Sequence, residues 1–372
     1  MKTLCAKPSI SALTEIAVSN FRNFEEARIS LQPGLNLFYG QNAQGKSNLL
    51  EAIYLLSTTR SFRGSKDKDL IQWNKELACV NGTVQEHAIE LRICVPREGK
   101  RWASINDNKL STIKELIGRL PAVCFSSTDL LLARGDPSFR RKFLDTDLSQ
   151  MSVKYLTALS QYKKSLEHRN ALLRKSLFER TDDMQFFAWE QKLAESGQLI
   201  REVRMRFIEN ILPLIEQRHK QLSAEKETAE IRYMPAEKMA DSSEFLDLLQ
   251  TKRESDKQLG HTSVGPQRDD FELRIDGKQV SNFASQGQQR TICLAVKLAQ
   301  VDYWKQEKNI QPLLLLDDIL SDLDDERRNM VIETATGEGQ TVITLTDWGK
   351  KQAEKLNPEQ LFEIVDGKVK NR

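Results

Sequence analysis

Short apolar alternations dominate the first third of the chain. LTEIAVSNF (13–21) and EARISL (26–31) alternate around the polar turn FRNFEE, Pro33-Gly34 makes the next turn, and LNLFY (35–39) is apolar on both faces. Residues 13–39 therefore read as a set of strands. SNLLEAIYLLS (47–57) follows with helical texture, then the basic, Gly/Ser-containing stretch TTRSFRGSKDKDL. CVNGTVQEHAIELRICV gives two strands around a polar turn, and RWASIN and KLST flank Asp107-Asn108 as a hairpin. From Leu13 to about Leu110 the chain is β-rich around one long helix. The pattern changes near Pro121. Met151, Tyr155, Leu159, Tyr162, Leu166, Leu173 and Leu177 recur at helical spacing. FERTDDM interrupts, and a second stripe runs through Phe186, Trp189, Leu193, Ile200, Val203, Phe207, Ile211 and Leu214. Two long helices around a short polar turn predict an antiparallel hairpin, with Pro213 kinking or ending its second member. Residues 225–259 are polar and weakly periodic, and no fold is assigned to them. FELRIDGKQV is a hairpin turning at Asp276-Gly277. SQGQQRTICLAVKLAQVDYW is a loop opening a buried helix, PLLLLDDIL and TVITLT are buried strands around a helical ERRNMVIETA, and LFEIVDGKVK is a terminal hairpin. The expected architecture is an α/β head built from both chain ends (13–120 and 263–372). A helical insertion (121–262) projects from it, and residues 1–12 form a flexible extension.

Composition narrows the class without choosing within it. Of 372 residues 29% are charged and 39% hydrophobic, as in ordinary water-soluble domains, and the formal net charge is only +2. Attraction to a polyanion must therefore come from local basic clusters, not from the whole-chain field. Five dispersed cysteines without a C-x-x-C pair predict reduced thiols in a cytoplasmic protein, and four histidines lack metal-ligand spacing. No apolar run approaches the roughly 20 residues of a membrane span, and MKTLCAKPSISA lacks the apolar core of a secretory signal.

The chemistry concentrates in three strings. GQNAQGKS (Gly40, Gln41, Asn42, Ala43, Gln44, Gly45, Lys46, Ser47) fits G-x-x-x-x-G-K-[ST] and stands between a buried strand and a helix, the context this motif requires. Inward backbone N–H groups and the helix N-terminus would hold phosphate oxygens. Lys46 would reach the β- and γ-phosphates and Ser47 would help hold Mg²⁺. A chance Gly/Asn turn is the competing explanation, and the flanking elements weigh against it. PLLLLDD (312–318) is a strand buried on both faces that ends in two acids: Asp317 to hold Mg²⁺, Asp318 to polarise the attacking water. Apolar strands ending in acids are common, but a triphosphate–Mg²⁺ complex needs both halves, so the pair is far stronger than either string. SQGQQR (285–290) offers Ser285, Gly287 and Gln288 at a helix N-terminus. From the residues alone it is equally a phosphate contact and a plain helix cap.

The order of these parts resembles the ATP-binding-cassette heads of the structural-maintenance-of-chromosomes and Rad50 proteins, and more closely the bacterial RecF family. The resemblance covers nearly the whole chain from Leu13. It rests on NFRNFEEA, GQNAQGKSNLLEAIYLLSTTRSFR, GDPSFRRKFLD, GPQRDDFEL, ASQGQQRT and LLLDDILSDLD. It implies an ABC-type P-loop ATPase in which ATP is sandwiched between two copies of the chain. Gly40–Ser47, Asp317 and Asp318 would come from one copy, Ser285 and Gly287 from the other, and the loop SDLD would cross the interface. It further implies binding of single-stranded, gapped or duplex DNA. With RecO and RecR the family loads RecA, in replication restart, recombinational repair and SOS induction. Four departures stand out. Thr344 or Thr346 takes the place of the transporter-type switch His, and spacing does not decide which. FSSTDL stands where the family reads F-S-P-E-D-L, and Gln267 stands where it has His. Asp318 in place of the usual Glu shortens the carboxylate and predicts a weak, DNA-stimulated ATPase.

Candidate DNA contacts are Arg60, Arg63, Arg97 and Arg101, with Arg140 and Arg141 able to pair internally instead. Two other classes share parts of the pattern: a transporter-associated cassette ATPase, disfavoured by the missing spans and switch His, and a structural tether of the cohesin type, which needs far longer heptad arms.

Overall fold

Strands that are apolar on both faces pair in parallel and must be covered on both sides, and this requirement organises the first of two compact units. The computed structural model describes residues 9–10, 12–85, 88–179, 181–320, 323–335, 339–346 and 356–371. It divides into residues 1–129 with 294–372 and residues 130–293. In the first unit Leu35–Gly40 lies inside a six-stranded sheet in the order Lys368–Asn371, Gln360–Val365, Leu35–Gly40, Thr341–Thr346, Leu313–Asp317, Ala122–Phe125. Every pairing is parallel except that of the terminal hairpin.

A second, antiparallel sheet runs Phe24–Ser30, Leu13–Phe21, Leu77–Val84, Ile89–Pro96, Trp102–Ile105, Asn108–Lys109. Its inner rows, such as Val18, Val80, Ile93 and Ala103, are buried, while the opposite face carries Arg28, Asn81 and Arg92. The helix Lys46–Thr58 packs against strands of both sheets and is buried nearly all round, through Leu49, Leu50, Ile53, Leu55 and Leu56. Each such side chain stabilises the unit by about 1.5–3 kcal/mol.

The second unit packs Pro137–Met151, Val153–Ser176 and the 40-residue helix Asp183–Leu222, about 60 Å long at 1.5 Å per residue, with the strands Ala229–Met234, Asp270–Ile275 and Lys278–Gln279. Phe143 meets Phe207 and Phe271 at ring distances of 6.5 and 6.0 Å. Gly197 keeps the middle of the long helix bare because a Cβ there would stand 2.5 Å from the Phe245 ring.

Several expectations are corrected. The unit boundaries fall at 130 and 293, not at 121 and 262, because Ala122–Phe125 pairs with Leu313–Asp317 while Asp270–Ile275 pairs with Ala229–Met234. The second boundary lies inside the helix Gln286–Lys308. Residues 1–12 are not all extension: Ser9–Ile10 pairs in parallel with Ile310–Gln311. Pro213 does not end its helix. It is exposed, so the carbonyl it leaves without a partner faces water, while Ile211, Leu214 and Ile215 stay buried on the other side. The stripe from Met151 to Leu177 spans the end of one helix and the whole of the next, because Ser152 leaves the helical region and its hydroxyl accepts from the Tyr155 N–H to cap the second. The turn expected at Asp107-Asn108 sits at Asn106-Asp107, both at positive φ. Residues 225–259 hold a strand and the helices Ser242–Thr251 and Arg253–Leu259. Cys79 and Cys94 are not separate thiols. They oppose each other on one face of adjacent antiparallel strands and form a disulfide, while Cys124 and Cys293 are buried thiols outside it. Among the described residues no helix is long and apolar enough to cross a membrane.

Buried ion pairs hold the helical unit together. Arg169 is fully buried and donates to Glu190 (3.1 Å), Asp256 (2.7 Å), the Thr262 hydroxyl (2.9 Å) and the Leu249 carbonyl (3.0 Å), and Arg253 adds a second cation on Glu190. Removing one partner of such a set strands buried charge. Arg169→Ala is therefore expected to cost about 3–5 kcal/mol in urea-induced unfolding. A loss below about 1 kcal/mol would mean that the carboxylates find water instead.

Candidate functional site

The strand Leu35–Gly40 emerges from the parallel sheet and turns through Gln41–Gly45 into the helix Lys46–Thr58. The loop is tight enough to demand glycine. Gly40 has φ +154° with the Ile364 carbonyl 2.4 Å from where a Cβ would stand, and Gly45 has φ +115° against the Asn23 amide. The Lys46 ammonium, 5% exposed, donates to the carbonyls of Gly40 (2.6 Å) and Gln41 (2.7 Å), so it crosses its own loop. Gln44 ties the loop to the terminal hairpin: its Oε1 accepts from the Asp366 N–H and its carbonyl from the Gly367 N–H and the Asn23 amide.

Leu313–Asp317, two strands away in the same sheet, ends beside this loop. Asp317 accepts hydrogen bonds from the Ser47 and Thr344 hydroxyls and has Arg63 4.0 Å away. Burial raises its pKa above the ordinary carboxylate value, Ser47, Arg63 and Thr344 pull it back, and Asp318 pushes it up again. Asp318 follows in the left-handed region at φ +52°, an uncommon conformation for a residue with a side chain. Its N–H donates to the Thr344 hydroxyl, and its carboxylate accepts from the Thr346 N–H and hydroxyl. The two threonines that spacing could not separate have different tasks: buried Thr344 donates to Asp317 and accepts from the Asp318 N–H, and half-buried Thr346 holds the Asp318 carboxylate.

Gly40–Ser47, Asp317 and Asp318 are therefore brought together. Ser285, Gly287 and Gln288 lie in the other compact unit. There the Gln288 N–H donates to the Ser285 hydroxyl (3.3 Å) while the Gln288 Oε1 accepts from the Ser285 N–H (2.9 Å), a reciprocal cap on the helix Gln286–Lys308. Behind it the Gln288 amide donates to Glu227, which also bonds His219. Ser285 and Gly287 are exposed, and a Cβ at Gly287 would meet only the Ser285 hydroxyl, at 3.9 Å. Ser321 and Asp322 of the SDLD string lie outside the described residues. Asp324 accepts from the Arg327 N–H at the start of Asp325–Ala335.

The four arginines expected to contact DNA separate into different settings. Arg101 is committed to Asp67, to which it donates through Nε and one terminal nitrogen, and to the Thr59 carbonyl. Arg97 donates to the carbonyls of Lys75 and Gln72. Arg63 donates to Asn48 beside Asp317. Only Arg60 of the four is exposed with a side chain that has no partner among the described residues. Arg140 and Arg141 do pair internally, with Asp270 and the Asp269 carbonyl.

One feature escaped sequence reasoning. A cavity of about 600 Å³ opens beside the loop, lined by Arg22, Asn23, Asn48, Ile71, Gln72 and Trp73. Trp73, 89% exposed, gives it an aromatic wall, and Asn48 follows Ser47 directly. FRN in the first polar turn was read only as a turn. A polar string that begins with an arginine and folds back toward a glycine loop was the available signal.

A two-sheet unit around a P-loop helix, with an acid strand beside it and a helical segment inserted in the chain, is an ABC-type ATPase head. The family model described as RecF/RecN/SMC N terminal domain matches residues 12–361. A protein named DNA replication and repair protein RecF from Crocosphaera subtropica is 39% identical over 96% of this chain and 99% of its own length. The protein of that name from Pediococcus pentosaceus is 37% identical over 95% and 97%. Among solved structures, one described as the recombination mediator protein RecF-ATP in the RecFOR pathway superposes with TM-score 0.91 at 34% identity and full coverage of both chains. The Smc head domain of Pyrococcus furiosus, at TM-score 0.55 and 16% identity, shares the fold. The chain belongs to the RecF family.

The raised pKa of Asp317 has a stability consequence. Because the folded value lies above the unfolded one, the ionised carboxylate costs stability at neutral pH; the cost shrinks once pH falls below the folded value and is gone below the unfolded one. Asp317→Asn is expected to raise the melting temperature of the nucleotide-free protein at pH 7.5, and the gain should shrink toward pH 4. Calorimetry at the two pH values checks it, and a lower melting temperature at pH 7.5 would count against the assignment.

Proposed function

We propose that this chain is an ATP-dependent DNA-binding protein of recombinational repair, in which ATP closes a dimer on DNA and slow hydrolysis to ADP and phosphate releases it. The observation that carries the nucleotide half is the meeting of Lys46, Ser47, Asp317 and Asp318 at one end of one parallel sheet. The Gly40–Ser47 backbone receives the phosphates, and Lys46 exchanges its loop carbonyls for β- and γ-oxygens. Ser47 and Asp317 already share a hydrogen bond, and their hard oxygen donors suit Mg²⁺, which would offset charge on the phosphates. Asp318, steadied by Thr346, orients the attacking water. The base and ribose occupy the cavity beside Asn48, with the base against Trp73 and Arg22 at its rim.

Ser285 and Gly287 meet the γ-phosphate of a second copy, a reading supported by their exposure, by the uncrowded Gly287 and by their place in the other compact unit. The shorter Asp318 and a lysine bonded to its own loop favour slow, DNA-stimulated turnover in a cytoplasmic protein. Relatives carrying the RecF name, and a solved relative described within the RecFOR pathway, support partnership with RecO and RecR. That partnership loads RecA at gaps, in replication restart and SOS induction.

Paired variants test the two halves. Lys46→Ala should lose ATP binding, measured by equilibrium dialysis, whereas Ser285→Ala should keep it and lose ATP-dependent dimerisation, measured by light scattering. If ATP changes neither the association state nor the DNA retention of the wild type, the clamp reading fails. Trp73→Ala should weaken ATP binding about tenfold, given roughly 1–3 kcal/mol for a base stacked on an aromatic ring, and Trp73→Phe should restore most of it. Equal affinity in all three proteins would remove the base from this cavity.

A further inference from the structure

The string GPQRDD (265–270) lies in the helical unit, and the proposed nucleotide chemistry makes no use of it. Its members are almost all consumed by internal bonds. The Gly265 N–H donates to Glu237 and the Pro266 carbonyl accepts from Arg204 (2.9 Å). Gln267 accepts from the Tyr162 hydroxyl and donates to the Val264 carbonyl. Asp269, fully buried, accepts from Arg201 (2.8 and 2.7 Å), the Tyr233 hydroxyl (2.6 Å) and the Ala236 N–H (2.9 Å). Asp270 is paired with Arg140 through both carboxylate oxygens. Arg268 alone is exposed, and its side chain has no partner among the described residues. Five residues thus form a rigid mount for one outward guanidinium.

That guanidinium borders a surface depression of about 440 Å³. Arg141 lines it too and spends one N–H on the Asp269 carbonyl. Ser138 lies in the first turn of the 15-residue helix Pro137–Met151, whose positive end opens here. Asn170 accepts from the Thr262 N–H and hydroxyl, which leaves its amide nitrogen as a donor. One carboxylate, Asp136, is also in the lining, so its two arginines and one aspartate together carry a formal charge of +1. The lining holds no Phe, Tyr or Trp on which a base could stack.

We propose that this depression is a phosphate-binding site that anchors the sugar–phosphate backbone of DNA, with Arg268 and Arg141 as its cations. A net charge of +1 matches one phosphodiester, and the absence of a stacking ring makes the contact indifferent to sequence. The proposal rests on the DNA-binding reading above and supplies that reading with an anchor apart from Arg60.

Fluorescence anisotropy of a labelled duplex and a labelled single strand, with the full-length protein and ATP over a range of salt, tests it. Arg268→Ala should weaken binding about three- to tenfold on every sequence and lower the log–log salt slope by about one. The Asp136 side chain makes no capping hydrogen bond, so Asp136→Asn removes the opposing charge at little structural cost, and should tighten binding about twofold. A merely structural role would not give opposite signs. If the wild type binds DNA and neither variant moves affinity or slope, the anchor is wrong while the DNA reading stands. If the wild type binds no DNA form, both fall. If millimolar inorganic phosphate at constant ionic strength erases the difference between wild type and Arg268→Ala, the site serves free phosphate and the backbone assignment is overturned.

Discussion

The helix Lys46–Thr58 lies between two sheets that each need it as cover, and most of the first unit follows from that constraint. A helix exposed on one side can rotate or slide, whereas one buried on nearly every side has a single depth and a single rotation. Glu51 makes the position stricter. It is fully buried in the middle of the helix and accepts from Arg22 through both oxygens, and from the Ser61 and Ser65 hydroxyls. Arg22 comes from the polar turn of the antiparallel sheet, and the serines come from the segment after the helix. The depth of the helix, the course of the first turn and the path of TTRSFRGS are therefore one arrangement. The Gly40–Ser47 loop is its consequence, since both of its ends are fixed by elements that cannot move separately.

The same arrangement explains why the acid strand arrives where it does. Leu313–Asp317 is placed by parallel pairing with Ala122–Phe125 and Thr341–Thr346, and Thr341–Thr346 pairs in turn with Leu35–Gly40. The register puts Asp317 opposite Thr344 and Thr346 opposite Gly40. The loop, the two threonines and the two acids are therefore carried to one edge by backbone hydrogen bonds before any side chain interacts. Keeping a partly desolvated carboxylate beside a second one, and a non-glycine residue at positive φ, are costs that a structural role would not require.

The legible and illegible parts of this chain divide by the range of the interactions involved. The glycine loop, the four-leucine strand and the Asp276-Gly277 hairpin were readable because each is specified by neighbours in sequence. Ser285, Gly287 and Gln288 were readable as a helix N-terminus for the same reason, but not as members of the helical unit, since that depends on Asp270–Ile275 pairing with Ala229–Met234, about 40 residues earlier. Pro213 left the end of its helix open because local propensity does not say which face of the helix is wet. The Cys79–Cys94 pair was hidden in plain alternation. Each cysteine alone looked isolated, and only the register of two antiparallel strands placed them opposite one another. Arg101 and Arg97 stand among the expected DNA contacts because their acceptors, Asp67 and three main-chain carbonyls, come from segments that sequence could not bring near.

Those arginines also show how a chain of formal charge +2 can serve a polyanion. Many basic side chains here are already paired with nearby acids, so the count of lysines and arginines says little about binding. What matters is which cations the fold holds rigidly and leaves unspent. Arg60 follows the pinned helix of one unit, and Arg268 stands on the internally bonded mount of the other. Each is a long side chain whose backbone is fixed by buried contacts, so less freedom is lost when an anion binds. A closing dimer that carried one such cation on each unit of each copy would gain DNA affinity from assembly itself. That would couple the nucleotide to DNA through geometry, without any change in the arginines.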